Sequence, residues 1–132
     1  MSRSTFILVV SLYGLLLSLG MLFAPEPLLQ GYGNPVKDTL HVVLFQFLGM
    51  SNLGVAIIGL LIRNAEPSLG LRAFLTGQAV TLVGGVALGV YHVTMMGVPN
   101  STFFTVDSLW RLALGLGMVY YLMRLKPVAS LA

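Results

Sequence analysis

The sequence predicts an all-α integral membrane protein, an antiparallel bundle of four transmembrane helices with both termini in the cytoplasm. Composition is the first observation behind this prediction: 57% of the residues are hydrophobic and 8% are charged, whereas soluble domains carry about 25% charged residues. The second observation is that apolar residues form four long runs, Thr5–Phe23, Thr39–Ile62, Ala73–Met96 and Phe103–Met123. A hydrocarbon layer of about 30 Å needs about 20 helical residues to cross it, and helices satisfy their own backbone hydrogen bonds in lipid. The four runs leave room for one domain, residues 1–132.

The first run begins shortly after Arg3, as the apolar core of a secretory signal does. Thr5–Phe23 is longer than a usual signal core, and Pro25 and Pro27 follow where a cleavage site would need small residues. We therefore expect a retained transmembrane helix.

The connections between the runs carry turn-forming and capping residues. The first connection, Ala24–Asp38, is expected to be a series of rigid turns. The residues that suggest these turns are Pro25, Pro27, Gly31, Gly33 and Pro35. Asp38 or Thr39 is expected to cap the second helix, and Thr102 or Thr105 the fourth.

Basic residues are unequally divided between the two sides of the predicted bundle. One side carries Arg3, Arg63, Arg72, Arg124 and Lys126, and the other carries Lys37. Because cytoplasmic loops are enriched in Lys and Arg, this pattern places both termini in the cytoplasm and turns the first and third connections outward. The net charge of +3 is thus a topology signal, and no nucleic-acid partner is expected.

Small and polar residues on one helix face indicate where helices contact one another in lipid. At about 100° per residue, three inward stripes are predicted: Ser11, Gly14 and Ser18 on the first helix, His41, Asn52, Ala56 and Gly59 on the second, and Gln78, Thr81, Gly85 and His92 on the third. Gln46 is expected to point elsewhere. Asn52 and Gln78 are expected to form hydrogen bonds between helices, worth about 0.6 kcal/mol each.

Four ionisable residues at the outward ends of the helices form the candidate site: His41, His92, Asp107 and Arg111. A charge within the membrane costs about 2.5–3.5 kcal/mol, so Arg111 requires an explanation. One interpretation is a structural ion pair between Asp107 and Arg111, one helical turn apart. The other is that Arg111, supported by Asp107, binds an anionic or carbonyl-bearing ligand such as a quinone, a haem propionate or a lipid headgroup.

The two histidines suggest a more specific cofactor. His41 and His92 lie at similar depth on antiparallel neighbouring helices, as the axial ligands of a haem b would. A chlorin bound by a single histidine is another version of this hypothesis. Met95 and Met96 lie near His92 in the sequence and could serve with it as ligands of a metal ion only if the side chains converged. Side chains at neighbouring helix positions point apart, so no metal-ion site is predicted.

The chain resembles the small four-helix bacterial membrane proteins of the DoxX family. The likeness rests on Phe23-Ala24-Pro25 after the first helix, Gly49-Met50-Ser51-Asn52-Leu53-Gly54 within the second, and a Gly97-Val98-Pro99 turn before the acid-bearing fourth. The resemblance implies a multi-pass bundle in the bacterial inner membrane, in some cases associated with quinone or redox complexes. It supplies no catalytic motif.

Three functions are compatible with the sequence. The absence of cysteine excludes thiol nucleophiles, disulfides and thiolate metal sites, and no catalytic residue is assigned. The leading hypothesis is a non-catalytic accessory or assembly subunit that binds other membrane proteins within the lipid bilayer. The alternative is a haem-, pigment- or quinone-binding protein that uses the outward cluster. The third is a small-solute transporter with Asn52, Gln78 and Ser18 along its path.

Overall fold

The computed structural model describes residues 1–34 and 38–125. Over these residues the secondary structure is entirely helical, as the sequence predicts. The helices are α1 Arg3–Phe23, α2 Pro25–Gly31, α3 Thr39–Ile62, α4 Leu69–Met95 and α5 Thr102–Arg124. Pro35, Lys37 and Lys126, which contribute to the turn and topology predictions, lie outside the described residues.

Three of the described helices, α1, α3 and α4, are long and apolar enough to cross a membrane. The helix α5 has 23 residues, but it is not among these three, because Asp107 and Arg111 interrupt its apolar run. The membrane character predicted from composition is therefore supported by α1, α3 and α4.

The prediction of turns after the first helix is wrong for Pro25–Gly31, which forms the short helix α2. Pro25 is the first residue of α2, where the missing N–H of proline costs nothing because the first N–H groups of a helix have no partner within it. Both prolines lie within the first three positions of the helix. The turn follows at Tyr32 and Gly33, and the φ of 82° at Gly33 suits glycine.

Side-chain caps fix the starts of the long helices. The Asp38 carboxylate accepts a hydrogen bond of 3.0 Å from the backbone N–H of His41, which confirms Asp38 as the cap of α3. The prediction that Thr102 or Thr105 caps the last helix is wrong, because the Ser101 hydroxyl accepts from the Phe104 N–H. Ser68 likewise accepts from the Leu71 N–H, so α4 begins at Leu69 and not at Ala73.

The chain divides into two compact units. The first unit consists of Met1–Arg63 and Pro99–Val106, and the second of Asn64–Val98 with the chain from Asp107 onward. The first unit therefore contains α1, α2, α3 and the first turn of α5, and the second contains α4 and the remainder of α5.

In the first unit, α1 packs closely against α3 through small residues. A Cβ placed on Gly14 would lie 3.4 Å from the Ala56 Cβ, and one on Gly49 would lie 2.8 Å from the Met21 Cβ. The predicted stripe of α1 is confirmed, because Ser11 and Ser18 are buried. The stripe of α3 is confirmed only toward the C-terminal end of the helix: Ala56 and Gly59 are buried, whereas His41 is exposed.

In the second unit, the predicted inward face of α4 is wrong. Its buried residues are Leu71, Leu75, Ala79 and Leu82, whereas Thr81, Gly85 and His92 are exposed and Gln78 is half-buried. The reason lies on α5, where Gly115 provides the space for close approach: a Cβ there would lie 2.7 Å from Val83 Cγ2 and 3.1 Å from Leu82 Cβ. Gly115 of α5, rather than a small residue of α4 itself, therefore determines which face of α4 is buried.

Candidate functional site

Asp107 and Arg111 form an ion pair on α5. The Arg111 Nε donates to the Asp107 Oδ2 over 2.6 Å, and the two side chains are 28% and 11% exposed respectively. The i,i+4 pairing expected from the sequence is therefore confirmed. The pair neutralises two charges within an otherwise apolar helix, where an isolated charge would be costly.

The position of this pair along α5 follows from where the helix begins. Since α5 starts at Thr102, Asp107 lies beyond the first turn and Arg111 lies about 13 Å along the helix axis from the start. The helix dipole acts mainly within the first turn. Asp107 is thus stabilised by its contact with Arg111 more than by the helix end.

The start of α5 is attached to α2 within the first unit. The Ser101 hydroxyl donates to the Gly31 carbonyl over 2.8 Å while accepting from the N–H of Phe104. The ring of Phe103 meets the edge of Tyr32 at a centroid distance of 4.8 Å, and it also lies against Gly31. One serine therefore both caps α5 and joins it to α2.

His41 lies at the start of α3 and contacts the residue that caps the helix. Its Nδ1 is 3.0 Å from the Asp38 Oδ2, and the two side chains are 63% and 55% exposed. The sequence identified Asp38 as a cap but missed its second role as the partner of His41. The three-residue spacing between Asp38 and His41 could have indicated this contact. At a helix start, such a spacing brings the side chain of the cap residue close to the third residue of the helix.

The pKa of the Asp38 carboxyl is lowered, first by the hydrogen bond from the backbone N–H of His41 and then by the charge of the His41 side chain. A carboxyl whose pKa is lowered on folding stabilises the fold above its unfolded pKa and loses that contribution as the pH falls through the folded value. For Asp38 this loss occurs below pH 3.8, the ordinary value for this group.

Asp38→Asn is expected to remove this acid dependence without removing the cap, because asparagine accepts the same hydrogen bond but does not titrate. Asp38→Ala is expected to release the first turn of α3, about four residues, at every pH. Hydrogen exchange at the N–H of His41, followed from pH 6 to pH 3, measures both effects. Equal acid sensitivity in wild type and Asp38→Asn would contradict the assignment.

His92 lies in the last turn of α4 and is exposed. Its ring lies 5.9 Å from the ring of Tyr91. Its backbone carbonyl accepts from the N–H groups of Met96 and Val98, and Gly97 between them has a φ of 68°. The backbone carbonyl of His92 therefore helps to end α4.

The structure brings Asp107 together with Arg111 in the second unit, and Asp38 together with His41 in the first. His41 and His92 belong to different units, so the haem b hypothesis, which needs both, remains a prediction, as does the chlorin bound by a single histidine. Within residues 1–34 and 38–125, there is no group of three or more His, Asp or Glu side chains that could hold a metal ion.

No protein-family model, curated protein or solved structure matches this chain. The resemblance to the DoxX family therefore remains a prediction.

The side chain of Gln46 forms a hydrogen bond between helices that the sequence pattern did not indicate. Its Nε2 donates over 3.0 Å to the Leu22 carbonyl, which lies in the last turn of α1, where carbonyls lack partners within the helix. Asn52 makes only a weaker contact, with its Nδ2 3.8 Å from the Met21 sulfur. Gln46 also contributes to an open groove of about 280 Å³, lined by Leu22, Val43, Gln46, Phe47 and Met50.

Proposed function

We propose that the chain is a non-catalytic membrane protein that binds a larger membrane complex as an accessory or assembly subunit. In this proposal α1, α3, α4 and α5 cross the bacterial inner membrane as an antiparallel bundle, with both termini in the cytoplasm. The resemblance to the DoxX family and the distribution of basic residues support that arrangement.

The observation that carries the proposal is the exposed polar face of α4. Thr81, Gly85 and His92 are exposed and Gln78 is half-buried, and Cβ atoms on Gly84 and Gly85 would meet no described atom within 4 Å. Helices in lipid use small and polar residues to contact other helices. A lipid-facing surface has no need of them, so this face suits a partner helix better than acyl chains.

The proposal is tested by native purification in mild detergent, followed by identification of the proteins that copurify. Gly85→Leu and Thr81→Leu are expected to reduce the amount of copurified partner about tenfold or more, because larger side chains prevent close helix approach. Val80→Leu is the matched control on the same helix, since Val80 is 67% exposed and apolar. A wild-type chain that always runs as a lone 14.2 kDa monomer or homodimer would contradict the proposal.

A second candidate function is ligand binding at the outward ends of the helices. The observation that favours it is the guanidinium of Arg111, held within an apolar helix by Asp107 and suited to an anionic or carbonyl-bearing ligand such as a quinone. An absorption spectrum of the purified protein tests the haem and pigment versions. A colourless sample, unchanged by His41→Ala or His92→Ala, would contradict them, and organic extraction then tests for quinone.

A further inference from the structure

We propose that the second unit binds the headgroup of an anionic phospholipid at the end where α4 begins and α5 ends. The site consists of Arg72, Tyr120 and Arg124, with the Leu125 carbonyl holding Arg72 in place. It lies away from the polar face of α4 and from the Asp107–Arg111 pair, and it does not depend on the proposed function.

A long-range hydrogen bond brings the first of these residues to the end of α5. The Arg72 Nη2 donates to the Leu125 carbonyl over 3.0 Å. Arg72 is the fourth residue of α4, and Leu125 directly follows the last residue of α5. The bond therefore fixes the charge of Arg72 beside the C-terminal turn of α5.

Arg124 is held in this turn by an aromatic ring. Its guanidinium carbon lies 4.6 Å from the centroid of the Tyr120 ring, and Tyr120 in turn meets Tyr121 edge-on at 5.1 Å. A cation placed over a ring in this way is attracted by the ring electrons. Both arginines are thereby oriented before any ligand arrives.

The electrostatics of this end favour an anion. The positive end of the α4 dipole and the negative end of the α5 dipole lie at this end and oppose each other, so the two guanidinium groups supply the positive charge. Glu66, in the connection before α4, is the acid nearest to Arg72 in sequence. Its one negative charge against the two positive charges of Arg72 and Arg124 leaves this end with a net positive charge. The other described acid of this unit, Asp107, is paired with Arg111 and lies about 25 Å away along α5.

Apolar surface beside the arginines selects a lipid over a soluble phosphate. Leu116 and Met123 precede Arg124 on α5, toward the middle of the helix, and are 56% and 80% exposed. Phosphate groups lie just outside the hydrocarbon layer, where arginine and tyrosine side chains are also favoured. A headgroup bound by the guanidinium groups would place its acyl chains along these apolar side chains.

Native mass spectrometry of the full-length protein, released from micelles that contain phosphatidylglycerol or phosphatidylcholine, tests the proposal. Wild type is expected to retain phosphatidylglycerol preferentially. Arg72→Gln and Arg124→Gln are each expected to weaken this retention about tenfold, since each removes a hydrogen bond between a guanidinium and the charged headgroup. Arg63→Gln, which removes one arginine from the first unit, is the matched control and is expected to change little.

Several results would overturn the proposal. One is equal retention of phosphatidylglycerol and phosphatidylcholine by wild type. Another is that Arg63→Gln loses as much phosphatidylglycerol as Arg72→Gln and Arg124→Gln do. Displacement of the lipid by millimolar inorganic phosphate would assign the site to a soluble anion instead. If a glutamine variant fails to fold by circular dichroism, the methionine variant at the same position, Arg72→Met or Arg124→Met, which also removes the charge, replaces it: a loss of the preference for phosphatidylglycerol supports the site, and an unchanged preference contradicts it.

Discussion

Arg111→Gln is expected to destabilise the folded chain by about 2–3 kcal/mol, because it leaves the Asp107 carboxylate without its cation in an apolar helix. Breaking a fully buried pair costs about 3–5 kcal/mol, and the 28% exposure of Arg111 reduces this figure. Asp107→Asn is expected to cost less, because the longer arginine side chain can extend its charge toward the interface.

The double variant Asp107→Asn/Arg111→Gln is the control that separates the pair from the individual side chains. Without either charge, it is expected to be more stable than Arg111→Gln alone. Unfolding in mixed micelles provides the measurement, and Trp110, the one tryptophan of the chain, reports on the adjacent Arg111. If the destabilisation of the double variant equals the sum of the destabilisations of the two single variants, the two side chains do not stabilise each other.

The same variants distinguish a structural pair from a ligand-binding residue. A purely structural pair predicts that the double variant keeps whatever lipid-soluble molecules wild type carries through purification. Binding by Arg111 predicts that the double variant loses such a molecule despite its restored stability. The comparison is informative because both variants that lack Arg111 lose the same guanidinium, and only Arg111→Gln alone retains the Asp107 carboxylate.

The sequence predicted the C-terminal end of α1 and both ends of α3, where strong local signals mark them, but it placed the start of α1 at Thr5 instead of Arg3. Pro25 follows the first apolar run, which ends at Phe23, and Asp38 accepts from the N–H of His41, the third residue of α3. Such signals act over three or four residues and can therefore be recognised in the sequence. The same reasoning failed where proline had two possible roles, since Pro25 and Pro27 both end α1 and begin α2.

The faces of the helices were harder to predict than their ends. Counting residues places Gln78, Thr81 and Gly85 on one side of α4, but it cannot show which side of α4 meets α5. The Gly115 contact with Val83 and Leu82 decides this, and it joins residues far apart in sequence. Gln46 was missed for a similar reason, because its partner is a backbone carbonyl of α1, which no side-chain pattern reveals.

The candidate site illustrates the same division. The Asp107–Arg111 pair was predictable because its four-residue spacing is local to one helix. The cluster of His41, His92, Asp107 and Arg111 was inferred from shared depth alone and remains a prediction, whereas the structure shows two local pairs, Asp107 with Arg111 and Asp38 with His41. A site assembled from several helices depends on their packing, which the spacing of residues within one helix does not determine.

Gly49→Ala is expected to destabilise the first unit by about 1–3 kcal/mol, because it inserts a methyl group into the closest contact between α1 and α3. The new Cβ would lie 2.8 Å from the Met21 Cβ and 3.4 Å from Leu22 Cγ. A Cβ atom cannot rotate away from its own backbone, so α1 itself must move. The measurement is the free energy of unfolding in mixed micelles.

Gly54→Ala on the same helix is the matched control for Gly49→Ala. A Cβ at Gly54 would meet no described atom within 4 Å, so this change adds helix propensity, worth up to about 1 kcal/mol, without a clash. The difference between the two variants therefore measures the contact with α1. Equal stability of the two would mean that α1 and α3 do not pack in this register.

The displacement caused by Gly49→Ala should also reach Gln46, which lies nearly one turn away on α3. Moving α1 would lengthen the 3.0 Å bond from the Gln46 side chain to the Leu22 carbonyl. Gln46→Leu, which removes this bond, should then cost less in the Gly49→Ala background than in wild type, because the bond is already weakened there. Independent costs would show that the glycine contact and the Gln46 bond hold α1 separately, whereas coupled costs would show that close approach at Gly49 is what allows Gln46 to reach its acceptor.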